Sequence, residues 1–158
     1  MFEKTIKQKI PSFINGINLS VFAYGQTSTG KTFTMHGSEK SPGIIPQAVE
    51  EIFKLLVEDQ TIKKYTLKAS YLELYNETVN DLLNANNKNL EVRESAQKGV
   101  FVNNLTEIQF TSKEKALQLL KKGDSVRVIA ETKLNEKSSR SHSIFRIALE
   151  VSKNIDGK

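Results

Sequence analysis

The chain has 158 residues, 38% hydrophobic and 26% charged, which suits one soluble globular domain with a sizeable core and excludes disordered and fibrous classes. With no cysteine and only two histidines, His36 and His142, it can build neither disulfides nor thiolate metal sites, and a histidine metal centre is not expected. A net charge of +5, from 23 Lys+Arg against 18 Asp+Glu, is spread along the chain and reads as a solvated surface, with an acidic polymer partner as the sharper alternative.

No apolar run approaches a membrane span and the first residues, MFEKTIKQKIPSF, lack a signal-peptide core, so a cytoplasmic, reducing setting is expected. In chain order, Phe2, Ile6, Ile10 and Phe13 have helical spacing, which Pro11 should interrupt or end. Leu19 to Tyr24 is short, apolar and aromatic between Gly16 and Gly25, the pattern of a buried strand. A helix should open near Lys31, break around HGSEKSPG and resume near Pro46, with Ile45, Val49, Ile52, Phe53 and Leu56 on one face.

Tyr65 to Tyr75 reads as a long strand, and ETVNDLL, Glu77 to Leu83, as a short helix. NLEVRES and FVNNLTEIQF are two extended runs separated by the turn AQKG. Thr111 with Glu114 forms a capping-box pattern for a helix whose Ala116, Leu117 and Leu120 share a face, with Gly123 as its stop. A polar stretch, ETKLNEKSSRSHS, leads to a last strand, IFRIALEV. Strands alternating with helices predict an α/β fold, with no repeat or low-complexity linker.

Two stretches carry chemistry. Gly25, four residues, then Gly30-Lys31-Thr32 matches the phosphate loop G-x-x-x-x-G-K-[ST], with a predicted strand before and a helix after. Small side chains let successive backbone N–H groups curl around phosphate oxygens, and the helix points its positive end at the same place. Lys31 supplies a cation for the outer phosphates and the Thr32 hydroxyl a ligand for Mg²⁺. The alternative is that the two glycines only shape a turn, but the pattern should arise by chance in roughly one such chain in a few hundred, and here it also has the expected strand before and helix after. The second stretch is NEKSSRSH, Asn135 to His142, read either as a polar loop with a phosphorylation target around Arg140-Ser141 or as a nucleotide sensor.

Together these stretches resemble the kinesin motor domain. FAYGQTSTGKTFTM is similar to that family's phosphate loop, NEKSSRSH to its first switch, N-x-x-S-S-R-S-H, and SYLELYNETVNDLL to a third hallmark between them. The likeness covers nearly the whole chain, so residues 1–158 are expected to be the central part of a kinesin-type P-loop NTPase domain, from phosphate loop through first switch and the following strand. Residues at Ala130 to Asn135 lean toward the centromere-associated subfamily.

The resemblance implies ATP and Mg²⁺ as cofactors, microtubules as partner, a cytoskeletal location, and neither nucleic acid nor membrane. Gly25, Gln26, Thr27, Ser28, Thr29, Gly30, Lys31 and Thr32 would cradle ATP, and Phe33 would lie near the adenine. Thr32 and Ser139 would ligate the metal. Asn135, Ser138, Ser139 and Arg140 would form the catalytic set: Asn135 orders the switch and attacking water, the serines approach the γ-phosphate, and Arg140 pairs with a second-switch glutamate.

Against the family pattern, Ile17 and Leu19 stand where a tyrosine and a glycine are usual, and no upstream arginine-proline strand occurs. A kinesin would continue after Lys158 into its second switch, an apolar run ending in Asp-x-x-Gly; none occurs among these residues, and the main microtubule-binding elements, farther downstream in the family, are expected to lie outside them too. The 158 residues alone are therefore expected to lack a strand between the Val21 and Ile144 segments and to be marginal and inactive as an ATPase. The two readings kept open are a microtubule-stimulated ATPase motor and a non-catalytic nucleotide-binding or interaction module derived from one.

Overall fold

A computed structural model describes residues 2–97, 99–132 and 141–154. The chain divides into two compact units, 1–67 with 111–114 and 149–158, and 68–110 with 115–148.

In the first unit, helix α1 (Phe2–Thr5), a 3₁₀ turn (Lys7–Lys9) and helix α2 (Ile10–Ile14) bury Phe2, Ile10 and Ile14. Pro11 opens α2 instead of ending a helix, because its missing N–H is one that a first helical turn leaves unpaired anyway. Helix α3 (Lys31–His36) and helix α4 (Ile44–Glu58) are the expected interrupted pair, and α2 and α3 both pack on α4. The break is enforced by two glycines. A Cβ on Gly37 would lie 2.1 Å from the Gly43 nitrogen, so the loop closes only where neither residue has a side chain.

The buried stripe of α4 is Ile44, Val49, Ile52 and Leu56. Ile44 leads it in place of Ile45, and Phe53 is half-buried. Pro46 does lie in the first turn, as expected. Past the end of α4, Asp59 accepts from the Thr61 hydroxyl (2.6 Å) and backbone N–H (3.0 Å) and from Lys153 (2.9 Å). Lys153 also donates to the Asn15 side chain at 3.0 Å.

Residues 17–24 form no strand. Phe22 is 84% exposed and Tyr24 96%, the reverse of the expected buried strand at Leu19 to Tyr24. A strand needs ladder partners for its N–H and C=O groups, and none of the described strands runs beside this segment. Apolar composition alone does not supply them.

The second unit holds most of the sheet. Strand β1 (Ile62–Tyr75) pairs with β2 (Thr78–Asp81), β5 (Ile108–Phe110) and β6 (Ser141–Lys153), while β3 (Val92–Ser95) and β4 (Gly99–Val102) form a separate hairpin around the expected turn. The segment ETVNDLL is not a helix. Asn76 and Glu77 both take positive φ, 48° and 61°, so they make the two-residue turn of a hairpin that pairs Leu72 with Asp81 and Tyr75 with Thr78. A seven-residue helix would have too few hydrogen bonds to offset its nucleation cost, whereas the adjacent edge of β1 offers a ladder at once.

Asp81 is buried at the end of that hairpin and accepts four hydrogen bonds: from the N–H groups of Leu83 (2.8 Å), Asn84 (3.1 Å) and Thr106 (2.8 Å), and from the Asn87 amide (3.2 Å). The run FVNNLTEIQF is two strands, not one, because Asn104 turns the chain with φ 58° between β4 and β5.

Helix α5 (Lys113–Thr132) begins one residue later than the capping box implied. The Glu114 carboxylate bonds its own backbone N–H and then the Ser112 hydroxyl, which hold it below the ordinary glutamate range. Ser112, not Thr111, therefore stands before the first helical residue. Gly123 does not stop α5, which runs on for nine more residues. It is buried against β1, where an added Cβ would lie 2.1 Å from the Tyr71 ring. Close approach, not chain reversal, is why a glycine stands there.

Gly123→Ala should therefore destabilise the protein. Overpacking costs about 1–3 kcal/mol and alanine's helix propensity returns at most about 1 kcal/mol. Equilibrium denaturation measures the balance, and a variant as stable as wild type would contradict the close packing. The Thr61 and Lys153 contacts hold Asp59 down to about 2. A depressed carboxylate contributes stability above its unfolded pKa, so the gap between wild type and Asp59→Asn should be full above about pH 4 and close as pH falls toward about 2. Melting temperatures of both proteins across that range test the sign.

Candidate functional site

Residues Gly25 to Gly30 form an exposed loop that feeds directly into α3. Its curl is set by the backbone. Gly25 has φ 150°, Ser28 φ 67° and Gly30 φ 86°, conformations that side chains disfavour and that turn successive peptide groups inward. A Cβ on Gly25 would also lie 2.8 Å from the Thr29 hydroxyl, which donates to the Gln26 carbonyl at 2.8 Å.

Lys31 reaches back over the loop, its ammonium donating to the carbonyls of Gly25 (2.7 Å) and Gln26 (2.6 Å). An ammonium has three N–H donors, so one remains beyond these two bonds for an anionic oxygen. The first intrahelical bond at this end is Thr34 N–H to the Gly30 carbonyl, 2.8 Å. The N–H groups of Lys31, Thr32 and Phe33 thus lie ahead of the helical ladder, beside the loop. Thr32 is exposed at the second position of α3.

This arrangement fits a phosphate group: inward-turning backbone, a fixed cation with a spare donor, N–H groups at a helix start and an open face. It also fits a phosphate-bound Mg²⁺, an ion that takes few protein ligands and relies on phosphate oxygens and water. Among the described residues no group of three or more His, Cys, Asp or Glu side chains could hold a metal by itself.

Phe33 is 58% exposed and borders a shallow cleft of about 280 Å³ with Phe2, Pro42, Ile44 and Gln47. Gln47 closes one side by donating to the carbonyls of Pro42 (2.7 Å) and Gly43 (3.1 Å).

The structure thus brings Gly25 through Phe33 together as one loop-and-helix site in the first unit. Asn135, Ser138, Ser139 and Arg140 lie outside the described residues. What sequence reasoning missed is a polar cluster in the second unit, built on β1, α5 and β6. Tyr71 and Glu73 alternate onto one face of β1, and Asp124 and Arg127 lie one helical turn apart on α5. Tyr71 donates to Asp124 at 2.8 Å, and its ring meets Phe145 edge-on at 5.4 Å. Burial first, then the Asp124 carboxylate, push the Tyr71 hydroxyl well above its ordinary range, so it remains a donor.

Arg127 Nε lies 3.4 Å from the buried Glu73 carboxylate, while its two terminal nitrogens donate to Ser141 (2.9 Å) and Ser143 (3.4 Å). The two-residue period within SYLELY was the available signal for the β1 half of this cluster.

The Kinesin motor domain family model matches residues 1–158. The chain is 43% identical over 150 residues to kinesin-like protein KIN-7I of Oryza sativa, covering 95% of this chain and 12% of that protein. It is 44% identical over 153 residues to kinesin-related protein 4 of Dictyostelium discoideum, covering 95% and 8%, and 40% identical over 160 residues to the kinesin heavy chain of Botryotinia fuckeliana, covering 99% and 18%. Comparable identities to KIN-7 proteins and heavy chains give no support to a centromere-associated lean. A solved structure titled as that of a fast kinesin superimposes with a TM-score of 0.87 at 39% identity, covering 94% of this chain and 43% of that one. The chain thus spans less than a fifth of these three relatives and under half of the solved domain, and its fold is the α/β, P-loop type found there. It belongs to the kinesin motor-domain family.

Proposed function

We propose that residues 25–33 bind the phosphates of ATP with Mg²⁺, and that the protein works as a microtubule motor whose movement is driven by ATP hydrolysis. The observation that carries this reading is Lys31, seated over the Gly25 and Gln26 carbonyls with a donor to spare, at the head of a helix whose first N–H groups border the loop. Gly25 to Gly30 wrap the phosphates through backbone N–H groups, Lys31 neutralises their charge and Thr32 supplies a hydroxyl to the metal. Mg²⁺ held there would supply positive charge to offset that on the phosphates. Phe33 offers a ring for the base.

In the same proposal Asn135, Ser138, Ser139 and Arg140 form the first switch, with Ser139 a second metal ligand and Arg140 a coupler to the microtubule-binding face. Residues 1–158 then make up the part of a motor domain running from the phosphate loop through that switch to β6. Microtubule association and a cytoskeletal location belong to the motor as a whole.

For the 158 residues on their own, one observation favours a second reading, a module that binds nucleotide without turning it over. Residues 17–24, which lead into the phosphate loop, are exposed apart from the half-buried Val21 and Ala23, and form no strand. Phosphoryl transfer depends on groups held in place around the reacting phosphate, and an unpaired lead-in holds them poorly.

Lys31→Ala separates phosphate binding from an ornamental turn. Charge-assisted hydrogen bonds contribute about 1.5–3 kcal/mol each, so the variant should bind a fluorescent ATP analogue roughly ten- to a hundredfold more weakly. Equal affinities in titrations of wild type and variant, both folded by circular dichroism, would refute the site.

A further inference from the structure

The loop between α3 and α4 plays no part in the proposed phosphate site, although it borders the same cleft as Phe33. It carries Ser41-Pro42, and of the three prolines in the chain Pro42 is the one that follows a serine or threonine. Residues 38–42 are all exposed. The Ser38 N–H donates to the Ser41 carbonyl at 2.8 Å, and the Ser41 N–H donates to the Ser38 carbonyl and hydroxyl, both at 3.2 Å. Gly37 and Pro42 pair across the base of this turn. The Ser41 hydroxyl itself makes no hydrogen bond among the described residues.

A free, exposed hydroxyl before a proline is a phosphoacceptor that an enzyme can single out. Proline removes one backbone N–H, presents a ring of fixed φ and biases the residue before it to extended backbone. The charges of Glu39 and Lys40 cancel, so the loop is neutral until a phosphate brings about −1.5 to −2. Gly43 caps α4 without a side-chain bond, and the helix begins at Ile44, three residues after Ser41. Negative charge is favoured just before a helix start, so the loop stays folded with the phosphate on it.

Ser41 lines the cleft of about 280 Å³ together with Phe33 and Thr34, which follow Lys31 and Thr32 on α3. All of these residues belong to the first unit. No lysine or arginine lines the cleft, and its one charged side chain is Glu3. A phosphate on Ser41 would therefore stand there without a counter-charge and would repel a polyanion seated next to it.

We propose that Ser41 is a phosphorylation site for a proline-directed protein kinase, and that its phosphate weakens nucleotide binding at the adjoining loop. The inference rests on the proposed nucleotide-binding function. In the modifying step Ser41 Oγ attacks the γ-phosphorus of an ATP held by the kinase. The new Oγ–P bond replaces the bond to ADP, which leaves, and the hydroxyl proton passes to the kinase's catalytic aspartate.

The test incubates the 158-residue chain with a purified kinase of the mitogen-activated class, ATP and Mg²⁺. Phosphate is located by mass spectrometry on the tryptic peptide 41–54, in which Ser41 is the only hydroxyl residue. After desalting, treated and untreated protein are titrated with a fluorescent ATP analogue. Wild type and Ser38→Ala should take one phosphate on that peptide, Pro42→Ala far less and Ser41→Ala none. Phosphorylated wild type should bind the analogue roughly two- to tenfold more weakly, and phosphatase should restore the affinity. Treated Ser41→Ala should bind as its untreated form does.

No phosphate on 41–54 in wild type, or as much on Pro42→Ala as on wild type, would overturn the proposal. Phosphate on Ser41 with unchanged affinity, in protein still folded by circular dichroism, would sink this inference alone. An untreated wild type that binds no better than Lys31→Ala would sink the phosphate-loop reading and this regulation with it.

Discussion

The second unit depends on how closely α5 can lie against β1, and that distance is set by the ring of Tyr71 meeting Gly123. Any side chain at position 123 would push helix and strand apart. At this separation the Tyr71 hydroxyl reaches Asp124 and the Glu73 carboxylate faces Arg127, one helical turn further on. Neither contact would survive an outward shift of an ångström or two, because hydrogen bonds weaken steeply with distance and angle. The Tyr71–Asp124 bond between strand and helix would be lost and the shielded Glu73–Arg127 ion pair pulled apart, which costs more than the pairs contribute when made. A missing side chain thus fixes the positions of four polar ones.

The same unit shows a buried acid used as a backbone organiser. Asp81 ends β2 where Leu82 and Leu83 enter the core, and the chain must reverse immediately afterwards. A reversing segment exposes N–H groups that no ladder can take. Its two carboxylate oxygens collect three such N–H groups and the Asn87 amide, from positions as distant as Thr106. Asn87 also donates to the Asn104 carbonyl at 2.7 Å, so the loops after β2 and β4 are closed against each other. A neutral side chain would offer fewer lone pairs in the same space, which is why an acid is tolerated there despite its burial.

Much of this was legible in the sequence where local rules and tertiary context agree. The phosphate loop, the α4 stripe, the glycine-bounded break before it and the β3–β4 turn all follow from residues close in the chain. The misreadings share one cause, which is that a distant partner decided the outcome. ETVNDLL carries apolar residues compatible with either period, and the free edge of β1 made it a strand. Gly123 reads locally as a helix stop, and only Tyr71, fifty-two residues earlier, shows that it is a contact. Leu19 to Tyr24 has a strand's composition, but none of the described strands pairs with it. In the candidate site the motif picked out residues that lie together in one loop and the helix start after it, while Arg127 and Ser143 carry no local signal, because three separate elements bring them together with Glu73.

The phosphate loop itself is the case where local chemistry is sufficient, and the reason lies in how it closes. Thr29 and Lys31 both donate to the carbonyls of residues 25 and 26, so the loop is folded onto its own backbone by side chains of the motif. Those carbonyls are thereby held by the lysine and the threonine. An anion arriving at the open face would then meet groups already held in place, and the ordering entropy that a limp glycine loop would lose on binding has been removed beforehand. The glycines permit the curl, but Lys31 and Thr29 select it from the many conformations that glycines allow. A sequence with the same glycines and no lysine would be flexible at this point; with it, the loop holds one shape.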